Sequence, residues 1–311
     1  MPGAPEGSTA SPARAASGVA PGWWEGPASS MGGDGSRTPA GCSSATPPVH
    51  TRRVKLSHRY LSGPNPRAFA HRGWHLGELE GMENSLSAMR RAVAEGFSYL
   101  ETDVHTTSDG VVVVHHDSTL DRTTDGTGVV SQLPWARVRE ARVGGREPVV
   151  RLEELMEELP GAFLNIDVKS DAAVAPVVEL LRRTGALGRV CLASFSDARL
   201  ARLRRLLGPE LLTSMGPRSV AALWAGCRLP GLAAAARGVI AQVPVNQGRL
   251  TVVDARFVRA AHRRGGEVHV WTVDEADEMR RLLDLGVDGL VSDRPDVLRE
   301  VLRERGAWTA T

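Results

Sequence analysis

The stretch Tyr99 to Asp117 holds the residues best placed to do chemistry. Glu101 and Asp103 are two apart in a short apolar run, so on a strand they share one face. Two like charges side by side on a buried face are costly unless a cation sits between them. A second run, Val111 to Val114, is β-branched and suits a strand. Ser108-Asp109-Gly110 between the runs signals a turn. His116-Asp117 follows where the chain leaves the sheet, so one hairpin offers two carboxylates and a histidine. Each residue alone suits a solvated strand end; together they point to a metal site with a base beside it.

Other runs end in similar chemistry. Ala68 to Ala70 leads into His71-Arg72. Asn165, Asp167 and Lys169 fall at i, i+2 and i+4 of one run and share a face. Val190 to Ala193 ends in Ser194, a later run carries His269 and Trp271, and the last ends in Ser292-Asp293. Glu101, Asp103 and Asp167 supply the oxygen ligands that Mg²⁺ or Ca²⁺ prefers. Zinc is disfavoured, because no His-x-x-x-His or Cys pair stands beside them. The histidines are then free for acid–base work. Arg72 and Lys169 supply positive charge for a phosphate ester, although Arg72 could instead pair with Glu101 or Asp167. Without a cation the three carboxylates should repel, raising the pKa of at least one. Asp103→Asn should then leave the metal-free protein little changed in stability, or more stable.

The elements that must position these groups alternate strand and helix from about residue 67 onward. Helical spacing marks Asn84–Ala94, Arg151–Leu159, 174–181 and 200–207, with Gly208 as a stop. Asp254 and Asp274 are placed to cap two later helices, and Pro295 opens the last. Residues 216–237 suggest an interrupted helix without clear bounds. Nine runs read as strands. The link between Val104 and Val111 is only six residues, whereas a parallel crossover needs about a dozen. Val111 to Val114 must therefore be an antiparallel hairpin arm, which leaves eight strands. Eightfold strand–helix alternation over about 250 residues predicts a TIM barrel. The rival, an open doubly wound sheet, lacks a Gly-rich phosphate loop after its first strand. The active site of such a barrel lies at the C-terminal ends of its strands, where these polar residues fall. An insertion occupies about 117–150.

The 311-residue chain has 38 Lys and Arg against 36 Asp and Glu, so its balance argues for neither nucleic acid nor a membrane surface. No apolar run is long enough to span a bilayer, and no secretory signal is evident. Cys42, Cys191 and Cys227 suggest no disulfide framework, in keeping with a reduced, cytoplasmic setting. Residues 1–58, rich in Gly, Ala, Ser and Pro, read as a disordered tail before a barrel domain over 59–311. Trp23-Trp24 within it reads as incidental, and Met31 offers an alternative start. Oligomeric state is left open.

The ordered motifs carry a resemblance. His71-Arg72-Gly73, Glu83-Asn84-Ser85, Leu100-Glu101-Thr102-Asp103-Val104 and His116-Asp117 are followed by Leu120-Asp121-Arg122-Thr123-Thr124. Then come Asn165-Ile166-Asp167-Val168-Lys169, Trp271-Thr272-Val273 and Gly289-Leu290-Val291-Ser292-Asp293-Arg294-Pro295. As a set, over residues 67–303, the chain resembles the glycerophosphodiester phosphodiesterases. That family implies a TIM barrel hydrolysing glycerophosphodiesters to glycerol 3-phosphate and an alcohol. By resemblance, His71 and His116 are the acid–base pair, Glu101, Asp103 and Asp167 the metal ligands, and Arg72 and Lys169 the phosphate contacts. Glu83 and Asn84 support the site, Trp271 lines the glycerol pocket, and the insertion after His116 covers it. One divalent cation is implied. Met82 stands where the family usually has Pro, and Asp167 where many members have Glu. Alternatives are a phospholipase D-like lyase, acting on lysophospholipid or sphingomyelin, and an inactive binding barrel. His115 should face away from His116, its neighbour on an extended chain.

Overall fold

The computed structural model describes residues 58–229 and 236–309. The expected tail, with Trp23-Trp24, Met31 and Cys42, lies outside the described residues up to residue 57. Eight strands form the barrel: β1 (Arg67–His71), β2 (Tyr99–Thr106), β3 (Phe163–Val168), β4 (Val190–Ala193), β5 (Leu212–Thr213), β6 (Ile240–Val243), β7 (Glu267–Val270) and β8 (Gly289–Ser292). All neighbouring pairs are parallel, in the order β5-β4-β3-β2-β1-β8-β7-β6. A parallel bridge between Ser214 and Ile240 joins β5 to β6 and closes the ring. An open doubly wound sheet is thereby excluded.

A helix follows each strand: α1 (Leu86–Ala94), α2 (Leu152–Glu158), α3 (Val174–Thr184), α4 (Asp197–Leu207), α5 (Pro217–Gly226), α6 (Ala255–Arg263), α7 (Ala276–Asp284) and α8 (Pro295–Glu304). The local signals account for several ends. Ser85 caps α1 through the Ala88 N–H, and Asp254 caps α6 through the Phe257 N–H. Gly208 ends α4 at φ 78°, a conformation that costs glycine little. Asp274, expected to cap α7, does not. Its Oδ1 accepts from Ser292 Oγ (3.0 Å) and Asp293 N (2.8 Å), tying the end of β8 to the loop after β7. β7 ends at Val270, so Trp271 lies just beyond the strand.

The hairpin arm, Val112–Val114, runs antiparallel to β2, with Val104 opposite Val114. Beyond it the insertion has its own apolar cluster of Val113, Leu120, Val130, Val138, Ala141, Val143 and Val149. Met82, which stands in the family's Pro position, is buried in that cluster and fastens the insertion to the loop before α1.

The barrel interior is layered. At the floor, Tyr60 and Leu61 from a short 3₁₀ turn (Arg59–Ser62) close the end over Phe69, Tyr99, Cys191, Leu212, Ile240 and Val291. The buried Arg67 guanidinium makes a two-point contact with Glu267 (2.7 and 2.8 Å) and donates to Tyr99 Oη (2.6 Å). His269, which the sequence groups with the mouth, belongs to this floor. It is fully buried, its Nε2 donates to Glu267 Oε2 (3.1 Å), and its ring packs on Phe69.

Candidate active site

Strand alternation aims His71, Glu101, Asp103, Asn165 and Asp167 into the barrel near its C-terminal end. The registers pair His71 with Glu101, Glu101 with Asn165, and Asp103 with Asp167. Asn165 is held from β6 by Gln242 Nε2, which donates to its Oδ1 (2.7 Å). Just past β3, Lys169 Nζ sits between two carboxylates, 2.8 Å from Asp103 Oδ1 and 2.8 Å from Asp167 Oδ2.

The turn after β1 adds two more groups, and its backbone is unusual. Arg72 (φ 56°) and Asn84 (φ 59°) are the two non-glycine residues with positive φ among the described residues. Such conformations are uncommon away from glycine and are retained where surrounding bonds fix them. Here the Arg72 N–H donates to Glu101 O (3.0 Å), and the Asn84 N–H donates to Arg72 O (2.9 Å). Gly73 lets α1 approach, since a Cβ there would lie 2.8 Å from the Ala88 carbonyl carbon. The Asn84 side chain then donates to Asp103 Oδ2 (3.0 Å) and accepts from Thr102 Oγ1 (2.8 Å). Arg72 pairs with Glu83 (2.9 Å) and Asp103 (3.3 Å), rather than with Glu101 or Asp167.

Both candidate histidines have Nδ1 held by a carboxylate. His71 Nδ1 donates to Asp293 Oδ1 (2.6 Å), and His116 Nδ1 donates to Asp117 Oδ1 (2.6 Å). This fixes Nε2 as the free ring atom of each. His71 Nε2 lies 3.6 Å from Glu101 Oε2. His115 turns away to Thr119 O (2.8 Å). Sequence reasoning did not single out Asp293 as a site residue. The available signal was alternation: Gly289, Val291 and Asp293 share one face, and barrel closure sets β8 beside β1. His75 Nε2 also donates to Asp293 Oδ1 (3.3 Å), adding a second imidazole that no spacing rule indicated.

The charges are tightly coupled. Burial, reinforced by the Asp103 charge, pushes Glu101 up to about 8. Asp103 goes the other way: burial opposes it, but Lys169 and Arg72 hold it well below the usual carboxylate range. The repulsion expected among the carboxylates therefore appears at Glu101, while two cations relieve it at Asp103. Lys169 is raised despite burial by Asp167 and Asp103. His71 is raised, because Glu101 and Asp293 outweigh its burial. His116 is lowered, mainly by burial, with Lys169 and Arg72 adding to it against Asp103.

For a divalent cation, the donor set offers buried carboxylate oxygens in reserve. Glu101 Oε2 and Asp167 Oδ1 are buried without a hydrogen-bond partner, whereas both Asp103 oxygens are engaged. Among the described residues no three His, Cys, Asp or Glu side chains are already gathered as a ligand set. The two reserve oxygens are hard donors and fit Mg²⁺ or Ca²⁺ in kind. Trp271 meets Phe195 edge to face, with ring centroids 5.6 Å apart, and Phe195 is 49 % exposed.

Residues 58–297 match the glycerophosphoryl diester phosphodiesterase family. The chain belongs to that family. Glycerophosphodiester phosphodiesterase is accordingly its enzyme class. It is similar to a Mycobacterium tuberculosis protein named Probable glycerophosphodiester phosphodiesterase 2, at 40 % identity over 246 residues, covering 78 % of this chain and 92 % of that one. Among solved structures it is similar to the glycerophosphodiester phosphodiesterase of Agrobacterium tumefaciens, with 28 % identity, a TM-score of 0.63, and coverage of 75 % and 98 %. It also shares the fold of an Oleispira antarctica phosphodiesterase solved with the product sn-glycerol-3-phosphate, at 24 % identity, TM-score 0.63, and coverage of 77 % and 97 %. No helix among the described residues is long and apolar enough to cross a membrane.

Proposed function

We propose that this protein hydrolyses glycerophosphodiesters to sn-glycerol 3-phosphate and an alcohol, with one divalent cation, Mg²⁺ or Ca²⁺, in a cytoplasmic setting. The observation that carries the reading is the pair of histidines. Each has its Nδ1 held by a carboxylate, which leaves both Nε2 atoms free to move a proton, one as base and the other as acid.

His116 is the base in this reading. Its free Nε2 takes the proton of the glycerol 2-hydroxyl as that oxygen attacks phosphorus. His71 is the acid, delivering its Nε2 proton to the oxygen of the departing alcohol. The five-membered cyclic phosphate is then opened by water, with the proton roles reversed. Arg72 and Lys169 balance the phosphoryl charge. Glu101, Asp103 and Asp167 would hold the cation, which when bound supplies Lewis-acid stabilisation of charge on phosphoryl oxygen. Glu83 and Asn84 fix Arg72 and Asp103, and Trp271 with Phe195 offers an apolar wall to the glycerol carbons.

The test is turnover on a panel of glycerophosphodiesters with Mg²⁺, Ca²⁺ or Mn²⁺, before and after chelation. Phosphorus NMR of the products is read alongside. Glycerol 3-phosphate as the end product supports hydrolysis, and accumulating cyclic phosphate would indicate the lyase instead. His71→Ala and His116→Ala should each lose about 10²-fold or more. Full activity in His116→Ala would refute the acid–base assignment.

A further inference from the structure

The Leu120-Asp121-Arg122-Thr123-Thr124 motif lies in the insertion, outside the ring of strand ends, and its arginine is half-exposed (49 %). Arg122 nonetheless spends its guanidinium on two carboxylates at once. Nε donates to Asp117 Oδ2 (2.6 Å) and Nη2 to Asp117 Oδ1 (3.1 Å). Nη1 donates to Glu83 Oε2 (2.9 Å) and Nη2 to Glu83 Oε1 (2.8 Å).

Each carboxylate has a second partner. Asp117 Oδ1 accepts from His116 Nδ1 (2.6 Å), and Glu83 Oε1 accepts from Arg72 Nη1 (2.9 Å). One guanidinium thus joins the group that orients His116 to the group that orients Arg72. Both carboxylates lie outside the strands and helices. Asp117 follows the hairpin arm on a Ser- and Thr-bearing connection, and Glu83 sits in the loop before α1. A carboxylate on a loop rotates freely in water, whereas a planar two-point contact fixes its plane.

We propose that Arg122 is a positioning residue: by clamping Asp117 to Glu83 it sets the orientation of the His116 imidazole and of the Arg72 guanidinium together. The inference rests on the functional reading above for what His116 and Arg72 do. It assigns the insertion a working part, since its fold holds Arg122 against Glu83, 39 residues earlier in the chain.

Half-exposed ion pairs contribute little to stability, so Arg122→Ala should fold and melt close to wild type. Its kcat on glycerophosphocholine should fall about 10²-fold, the scale of a misplacement near 1 Å. Arg122→Lys keeps the charge but cannot grip two carboxylates in their planes, and should recover little of the loss. In a His116→Ala background the Arg122→Ala loss in kcat should shrink, keeping only the part that acts through Glu83 and Arg72. Nitrogen-15 NMR of the His116 ring gives a readout independent of turnover: Nδ1–H alone in wild type, and mixed tautomers in Arg122→Ala and Arg122→Lys. Wild-type kinetics in Arg122→Lys, undiminished loss in the His116→Ala background, or an unchanged tautomer would each overturn the positioning role. If wild type turns over no glycerophosphodiester, the functional reading falls, and the tautomer measurement still decides the inference.

Discussion

Replacing Asp103 by Asn should destabilise the metal-free protein, the reverse of what three converging carboxylates suggest on paper. The Asp103 side chain is 2 % exposed, and both of its oxygens accept: Oδ1 from Lys169 Nζ, Oδ2 from Asn84 Nδ2, with Arg72 Nε 3.3 Å away. An amide presents only one acceptor, so in either orientation its NH₂ faces a donor. The variant loses at least one charge-assisted bond, worth about 1.5–3 kcal/mol. Together with the buried cationic charge left less compensated, the total is that of breaking a buried pair, commonly about 3–5 kcal/mol with the lost bond included. One effect offsets this. Glu101, held at about 8 by burial and then by Asp103, ionises more easily once Asp103 is neutral, returning on the order of 1 kcal/mol. The net loss should be about 2–4 kcal/mol, or on the order of 10 °C in Tm for a domain of this size. Urea unfolding of both proteins in EDTA at pH 7 measures it. A midpoint for Asp103→Asn equal to or above wild type would show that carboxylate repulsion outweighs the ion pairs, and the reasoning would fail.

Glu267 gives the fold an acid limit. Burial alone would raise it, but hydrogen bonds from His269 and Arg67 hold it at about 2, below its ordinary 4.5. A depressed folded-state pKa contributes stability that is present above about 4.5 and lost as pH falls toward 2, amounting to at most about 3 kcal/mol. Unfolding free energy measured from pH 6 to pH 3 should fall, and Glu267→Gln should flatten that slope while lowering stability at pH 6. Asp293→Asn should cut kcat about 10²-fold with little change in Tm, because His71 loses the carboxylate that fixes its free Nε2; unchanged kcat would detach Asp293 from the chemistry. Gly73→Ala should cost about 2–4 kcal/mol in urea, since its φ of 89° strains any Cβ and that Cβ meets α1 backbone at 2.8 and 2.9 Å. A midpoint within error of wild type would show that α1 can shift without cost.

Much of the architecture was legible in local pattern. The six-residue link after Val104 made Val112–Val114 an antiparallel arm, and eightfold alternation gave the barrel. Alternation of period two put Glu101 with Asp103, and Asp167 with Lys169, on inward faces, because side chains on a strand alternate whatever the partners. What alternation cannot supply is depth or neighbourhood. His269 and Trp271 share a face, yet one is fully buried against Glu267, while the other packs on the apolar core and reaches the exposed Phe195 ring. Strand tilt and register decide that difference. Asp293 reaches His71 across 222 residues only because closure sets β8 beside β1. Lys169 lies between Asp103 and Asp167 only because β2 and β3 pair in that register. Asp274 could have capped a helix from sequence, but the end of β8 brought other donors to it. Local sequence chose the elements and their faces; ring closure, a long-range condition no window contains, chose which charged groups meet and therefore which way each one titrates.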